Sequence, residues 1–505
     1  MYCYIFTSAT ALINNANFDS VVVDAISLIT FAFYGYLVVT IIFLLLDNKE
    51  STSTIAWLFI LILFPVIGLI FYFMLGRNFR YRSKNKALHH QFLESRVIKQ
   101  LAPIISDQEK EMDHLKQKAR YSYKHKLLHL LFNNSDSVLT SRNNITLLST
   151  GRQKFSSLIK DLENAKQFIH MEYFIWRNDK LTQQIQRILI RKAKEGVQIR
   201  ILYDALGCVF LNKFYIRRMR KFGIQMFPYF NFLSPFSIHT LNYRNHRKIV
   251  IIDGQIAYTG GMNMGKEYVD GGKKFPSWVD LHMRVEGESV PILQGVFATS
   301  WYNTTKEDLF KPLYFPKPNQ TSRRIPMQIT TSGPDSEWES IKQLFFALIT
   351  SAEKRVYVQS PYFIPDLSIY TALKTAALSG LDVRIMLTGK PDKRTPYWAA
   401  FTYLKELLQA GVKVYHYDKG FMHAKSIMID GELCSIGTAN MDVRSFHLNY
   451  EQNTLIYDRA TTKEVEALFF THLERCKQMT VQSYNKLTVF SRLRNSVARL
   501  FAPLL

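Results

Sequence analysis

Residues 246–263 read HRKIVIIDGQIAYTGGMN, and residues 423–440 read HAKSIMIDGELCSIGTAN. Each contains His-x-Lys-x4-Asp, then a Gly seven residues after the Asp and an Asn ten after it. Matching offsets in two distant stretches imply an internal repeat. Asp253-Gly254 and Asp430-Gly431 are hairpin-turn dipeptides, which predicts strands over 246–253 and 423–430. Side chains alternate along a strand, so His246 and Lys248 share a face, as do His423 and Lys425. Asp253 and Asp430 lie at an odd offset from their histidines. They are expected to face away and brace the motif. The glycines permit close backbone approach, and Asn263 and Asn440 can offer amide donors to an oxyanion.

The repeat extends outward from these motifs. TLLSTGRQKFSSLIKDLENAKQFIHMEYFIW in the first half matches ITTSGPDSEWESIKQLFFALITSAEKRVYVQSPYFIPD in the second. Each reads as a turn, an amphipathic helix and an apolar strand, the strands closing on Glu172 and Gln359. Second strands are predicted at 197–204 and 381–388, and third strands at 222–227 and 410–415. Alternating strands and helices imply an α/β layered sheet in each half.

The N-terminal end is a different material. Of the 64 Lys and Arg and 41 Asp and Glu in the 505 residues, the first 76 hold only Lys49, Asp19, Asp24, Asp47 and Glu50. By subtraction, 63 basic and 37 acidic residues remain beyond position 76, a net charge of +26. Such a body suits an anionic partner, either nucleic acid or an acidic lipid surface. Residues 25–46 and 55–76 are uncharged and apolar, and each is long enough as a helix to cross a hydrocarbon core of ~30 Å. A transmembrane hairpin is expected, with DNKESTST as its loop. Arg77, Arg80, Arg82, Lys84 and Lys86 follow at once, which places the large C-terminal body in the cytoplasm. Cys3, Cys208, Cys434 and Cys476 form no CxxC pair, so a disulfide scaffold and a zinc finger are excluded.

The doubled motif resembles the phospholipase D superfamily. The two apolar spans, GRN after the second, IHMEYFIW, SGPD, SPYFIPD, RSFHLNYE and the terminal RLFAPLL together resemble bacterial cardiolipin synthases. The resemblance implies a multi-pass protein of the bacterial cell membrane. It also implies two pseudo-symmetric α/β/α sandwich halves whose motifs meet face to face in one site without a metal or cofactor. The implied reaction joins two phosphatidylglycerols into cardiolipin and glycerol through a phosphohistidine. His246 would be the nucleophile and His423 the general acid. Lys248, Lys425, Asn263 and Asn440 would offset phosphoryl charge. A carboxylate later in the same half would orient each histidine, Asp280 for His246 and Glu451 for His423. Because one imidazole attacks and the other donates a proton, their protonation states are expected to differ.

The implied partners are phosphatidylglycerol, other anionic lipids and the bilayer, with no nucleic acid; these patterns do not speak to oligomeric state. A hydrolytic phospholipase D, a transferase for another donor or alcohol, and a membrane-tethered nuclease are the alternatives. His282 and His447 are expected to be scaffold histidines. Trp278, Tyr173 and FPYFNFLSPF (227–236) either line a passage for acyl chains or belong to the core. The expected organisation is a tail and hairpin (1–76), a basic helical connector (77–140), two repeats (141–320 and 321–482) and a C-terminal amphipathic helix (483–505). That helix either lies in a membrane interface or packs on the body.

Overall fold

The computed structural model describes residues 122–230 and 242–501 without a break. It also describes helical stretches within 27–64 and a few positions between 67 and 102. The chain divides into a small N-terminal unit and a large one. In the small unit, residues 30–42 and Ser51–Leu63 are helical, and Leu44, Leu61 and Tyr72 are buried together. Among the described residues no helix is long and apolar enough to cross a membrane. The expected spans 25–46 and 55–76 both fall partly outside the described residues. So do most of the 77–140 connector, whose described part includes the helix Ser122–Ser135, and residues 231–236 of the Phe-rich loop.

The large unit is built on two sheets. The first runs in the order Asn143–Leu148, His282–Gly287, Ile256–Gly260, Lys248–Ile252, Phe168–Tyr173, Gln198–Tyr203, Gln225–Pro228. Seven strands of the second follow the same plan: Met327–Ser332, Asn449–Ile456, Leu433–Gly437, Ser426–Ile429, Arg355–Gln359, Asp382–Thr388, Lys413–Tyr417. Leu139–Thr140 and Cys476–Met479 extend its two ends. In each sheet three parallel strands are joined through helices, and the motif strand pairs antiparallel with the first of them.

Beyond their first residues, Lys248 and Ser426, the motif strands are apolar because both faces are covered. Val250 and Ile252 enter one core, whereas Ile249 and Ile251 enter another on the opposite face. In the second half, Ile427 and Ile429 alternate with Met428 in the same way. Local signals set the helices. Thr150 caps Gly151–Glu163 in a reciprocal box with Gln153, and Asp179 does the same for Lys180–Lys194 with Thr182. Asp253, Gly254, Asp430 and Gly431 all take positive φ, as the hairpin turns require.

The motif strands are shorter than expected. They begin at Lys248 and Ser426, so neither histidine lies in its hairpin strand. The residues just before each histidine are recruited elsewhere. Arg244–Asn245 pairs in parallel with Asn449 and Tyr450, and Phe421–Met422 with Trp278 and Val279.

The helix Val489–Leu500 packs through its polar side. Asn495 and Ala498 are buried, Arg494 lies over the Trp398 ring at 4.6 Å, and Arg499 lies over Tyr403 at 4.7 Å. Val489, Phe490, Leu493, Val497 and Leu500 remain exposed.

Candidate active site

Two short parallel bridges assemble the site. The Arg244–Asn245 bridge continues into a hydrogen bond from His246 N to Tyr450 O at 2.9 Å. His246 is thereby abreast of Glu451, and its Nδ1 meets Glu451 Oε2 at 2.9 Å. The second bridge repeats the geometry: His423 N donates to Val279 O at 2.7 Å, and His423 Nδ1 meets Asp280 Oδ2 at 2.6 Å. This corrects the expected pairing. Each histidine is held by the carboxylate of the other half, because the lead-in to each motif pairs with the opposite half's acid-bearing segment.

A carboxylate only accepts, so each Nδ1 carries the proton and each Nε2 keeps its lone pair. Both histidines are 7% exposed. Burial pulls His246 down to about 4, against the attraction of Glu451. Burial and then Lys425 pull His423 down to about 4, against Asp280. The expected split in protonation is therefore absent from the protein alone, because both rings share the same burial and one carboxylate each. For Glu451, burial pushes the carboxyl up, but His246, Lys248 and Thr438 outweigh it and hold it at about 2.

Both lysines are also buried. Lys248 Nζ donates to His246 O, and Lys425 Nζ donates to His423 O at 2.5 Å. Each thus grips the backbone of its own histidine. Burial lowers Lys248 well below its ordinary value and brings Lys425 to about 8, with Asp280 and Glu451 opposing. Two lysines that resist full charging form a site poised to accept an anion.

The other expected residues divide. Asp253 accepts from the backbone N–H groups of Lys166, Gln167 and Phe168 at 2.7–2.9 Å. Asp430 does the same for Glu353, Lys354 and Arg355 at 2.8–2.9 Å. Both carboxylates tie the motif turn to the start of the neighbouring strand. Asn263 is engaged within the protein: its Nδ2 donates one proton to Tyr268 Oη at 2.6 Å and its Oδ1 accepts from Ile175 N at 3.1 Å. Asn440 is buried, and its Oδ1 has no hydrogen-bond partner. His282 is buried, with Nδ1 accepting from Met262 N, while His447 meets Glu339 at 2.6 Å. Tyr173 lies in the core, and the Trp278 ring stands 5.3 Å from that of His423. Phe174 stands edge-on to His246 at 4.8 Å.

Several contributors carried no motif. The Thr438 hydroxyl and the Asn449 amide both donate to Glu451. At the position equivalent to Thr438 stands Gly261, where a Cβ would overlap Asp280 Oδ1. Asp204 accepts from Asn245 N at 2.8 Å and so fixes the lead-in to His246. Asn245 also donates to Glu172, whose carboxyl burial pushes upward. The equivalent Gln359 instead accepts from Ser426. One sequence cue was available for Asp204, an acid directly following an apolar strand.

The chain as a whole is similar to known proteins. A family model described as cardiolipin synthase, PLD-like domain, matches residues 158–273 and 345–473. A second, the phospholipase D-nuclease N-terminal model, matches residues 32–77. A cardiolipin synthase of Geobacillus sp. (strain WCH70) is 41% identical over 465 residues, covering 91% of this chain and 90% of its own. The major cardiolipin synthase ClsA of Bacillus subtilis (strain 168) is 38% identical over 485 residues, covering 95% and 99%. The crystal structure of a phosphatidylserine synthase from Haemophilus influenzae Rd KW20 superposes with a TM-score of 0.57 at 15% identity, covering 75% of this chain and 97% of its own. That likeness concerns the fold alone.

Proposed function

The chain belongs to the cardiolipin synthase family of the phospholipase D superfamily, and on that premise we propose that it moves a phosphatidyl group from one phosphatidylglycerol to another. The products are cardiolipin and glycerol. The observation that carries this reading is the crossed pair of carboxylate-held histidines, which unites both motifs in one buried cluster.

In the proposed reaction, Nε2 of His246 attacks phosphorus with its lone pair, and the bond to the glycerol oxygen breaks. His423, protonated once the anionic phosphodiester is beside it, delivers its Nε2 proton to the departing glycerol oxygen. The second phosphatidylglycerol then loses its terminal hydroxyl proton to His423. Its oxygen forms the new P–O bond as the P–N bond to His246 breaks. Lys248 and Lys425 offset the charge that builds on the phosphoryl oxygens. Asp280 and Glu451 hold the rings and are positioning residues. Two in-line displacements at one phosphorus give net retention.

The same reading places residues 1–76 as a membrane hairpin, 77–140 as a connector, 141–320 and 321–482 as the two catalytic repeats, and 483–505 as an interfacial helix. The body is then cytoplasmic and faces the inner leaflet. The apolar runs at 25–46 and 55–76, the basic cluster after them and the exposed apolar side of Val489–Leu500 support it. Transfer beats hydrolysis only when the acceptor is concentrated at the site, which a membrane anchor provides. The test supplies purified protein with phosphatidylglycerol vesicles and follows cardiolipin, glycerol and phosphatidic acid. Equal cardiolipin and glycerol with little phosphatidic acid is expected. Phosphatidic acid as the main product would make the protein a hydrolase.

A further inference from the structure

A surface cleft of about 320 Å³ lies between the helices Lys180–Lys194 and Lys213–Lys221. Buried Gln186 and Tyr215 form its floor. Arg187 and Arg218 stand on its walls, one from each helix, with the amides of Asn178 and Asn212 at its edge. Neither helix contains an Asp or Glu. The hydrogen bonds and ion pairs of the described residues assign no carboxylate to either arginine. The cleft is therefore a cationic, amide-lined recess sized for a small anionic group.

Its rim is apolar. Phe214 lines the cleft and is 73% exposed, and on the loop leading to it Phe210 is 81% and Val209 60% exposed. Exposed aromatic and aliphatic side chains cost solubility in water but suit the boundary of headgroups and acyl chains. Lys213, Arg217 and Lys221 continue the positive charge along the same helix. A cationic recess beside exposed apolar side chains is complementary to an anionic amphiphile, not to a free anion or a nucleic acid.

The loop is tied to the reaction centre. Strand Gln198–Tyr203 and the motif strand flank Phe168–Tyr173, so Tyr203, Tyr173 and Lys248 stand abreast. The loop leaves from Asp204, whose carboxylate also holds Asn245, the residue before His246. Whatever fixes this loop to a membrane therefore fixes the His246 end of the site at headgroup level.

We propose that this cleft binds the phosphate headgroup of an anionic phospholipid in the bilayer while Val209, Phe210 and Phe214 insert beside it, a docking site separate from the reacting phosphorus. It rests on the reading that the protein turns over phosphatidylglycerol, and it deepens that reading.

The test uses the full chain and phosphatidylcholine vesicles carrying increasing phosphatidylglycerol. Arg187→Gln with Arg218→Gln should raise the mole-fraction KM about 10–30-fold, the loss expected for two cations near an anionic surface. Phe210→Ser with Phe214→Ser should raise it comparably. Neither pair should change kcat at saturation or the rate on monomeric dihexanoyl phosphatidylglycerol. Unchanged KM in both pairs overturns the proposal, and so does an equal loss on the monomeric substrate. Relief of the wild-type advantage by inorganic phosphate alone, at constant ionic strength, would make the cleft a free-anion site. A change of molecular mass in detergent for the Phe pair, with vesicle KM intact, would assign the face to a second copy. One arm is independent of turnover. In Val209→Trp, lipids brominated on the acyl chain should quench the added fluorescence in anionic vesicles, and absence of quenching overturns the insertion. A wild type that makes no cardiolipin but shows this quenching would overturn the enzymatic reading and leave the docking site standing.

Discussion

His246 and Glu451 are separated by 205 positions in sequence, yet their side chains meet at 2.9 Å because the chain before His246 runs beside the chain before Glu451. His423 and Asp280 repeat this across 143 positions. Each half therefore supplies the carboxylate that orients the other half's motif histidine. Glu451→Gln keeps the size but removes the charge, so the His246 tautomer is no longer enforced. A fall in kcat of about 10²–10⁴ is expected, as for other buried carboxylates that orient a catalytic imidazole. Because the role is positioning, the pH–rate profile should move with it, whereas a purely structural defect would lower activity without moving the profile.

Replacing His246 or His423 with Ala should each abolish cardiolipin formation in a protein that remains folded. Groups acting as one unit lose activity together, so the double variant should be little slower than either single one. Single variants near the wild-type rate would rule out the two-histidine reaction.

Gly261 offers a gentler perturbation of the same pair. A Cβ there overlaps Asp280 Oδ1, while the equivalent Thr438 instead donates its hydroxyl to Glu451. Gly261→Ala should displace Asp280 and slow the steps that use His423, with less effect on KM than on kcat. Thr438→Ala should weaken the Glu451 side by about 1.5–3 kcal/mol, the typical worth of a hydrogen bond to a charged group. Equal kcat for Gly261→Ala and wild type would show that Asp280 is placed by other contacts.

Acid should destabilise the protein through these buried groups. The folded pKa of each histidine lies near 4, below the unfolded value of about 6.5. The unfolded chain therefore binds more protons between those limits, and stability rises with pH across the window. Glu451, held at about 2, adds a further loss as pH falls from its unfolded value of about 4.3. Melting temperature should drop progressively as pH falls below 6.5. Burial lowers His170, His282, His416 and His472 in the same direction, so His246→Gln with His423→Gln should make the slope between 6.5 and 4 shallower without abolishing it, and an unaltered slope would place the acid-sensitive groups elsewhere.

The motif aspartates should affect stability and leave chemistry largely intact. Asp253 and Asp430 each accept three backbone N–H bonds and each sit at positive φ. Ala at either position should cost about 1–3 kcal/mol from the lost acceptors, whereas Asn, which tolerates the left-handed region, should cost less. Chemical denaturation measures the loss, and kcat per folded molecule should change little.

Parts of this architecture are legible in the chain. The apolar motif runs, their Asp-Gly turns and the repeat of helix-flanked strands gave the two sheets, because those patterns reflect local periodicity and burial. The crossed carboxylates were not legible. They depend on two-residue bridges between halves, and a pair such as Phe421–Met422 has no period to read. The C-terminal helix shows the same boundary. Leu493, Val497 and Leu500 announce an apolar stripe, but only Trp398 and Tyr403, met in three dimensions by Arg494 and Arg499, show that the polar side faces the body. Asn263 has the spacing of a phosphate donor, but its spacing does not reveal that Tyr268, five residues on, accepts one of its amide protons.

The proposed membrane arrangement yields the last expected outcome. Five basic residues in 77–86 follow the second apolar run, and positive charge near a span is retained on the cytoplasmic side. In the proposed hairpin, the turn between the runs, which carries Asp47, Lys49 and Glu50, lies outside. A cysteine introduced at Ser51 should react with an impermeant thiol reagent added to intact cells, whereas one at Ser83 should react only after the membrane is opened. Among the described native cysteines, Cys208 and Cys434 are buried, which keeps their background low, and Cys476 belongs to the same large unit as the site and should remain protected in intact cells. The anionic lipid that the body's charge of +26 would meet is then the inner leaflet. Labelling at Ser83 and not at Ser51 in intact cells would place the catalytic body outside and require phosphatidylglycerol to be drawn from the outer leaflet.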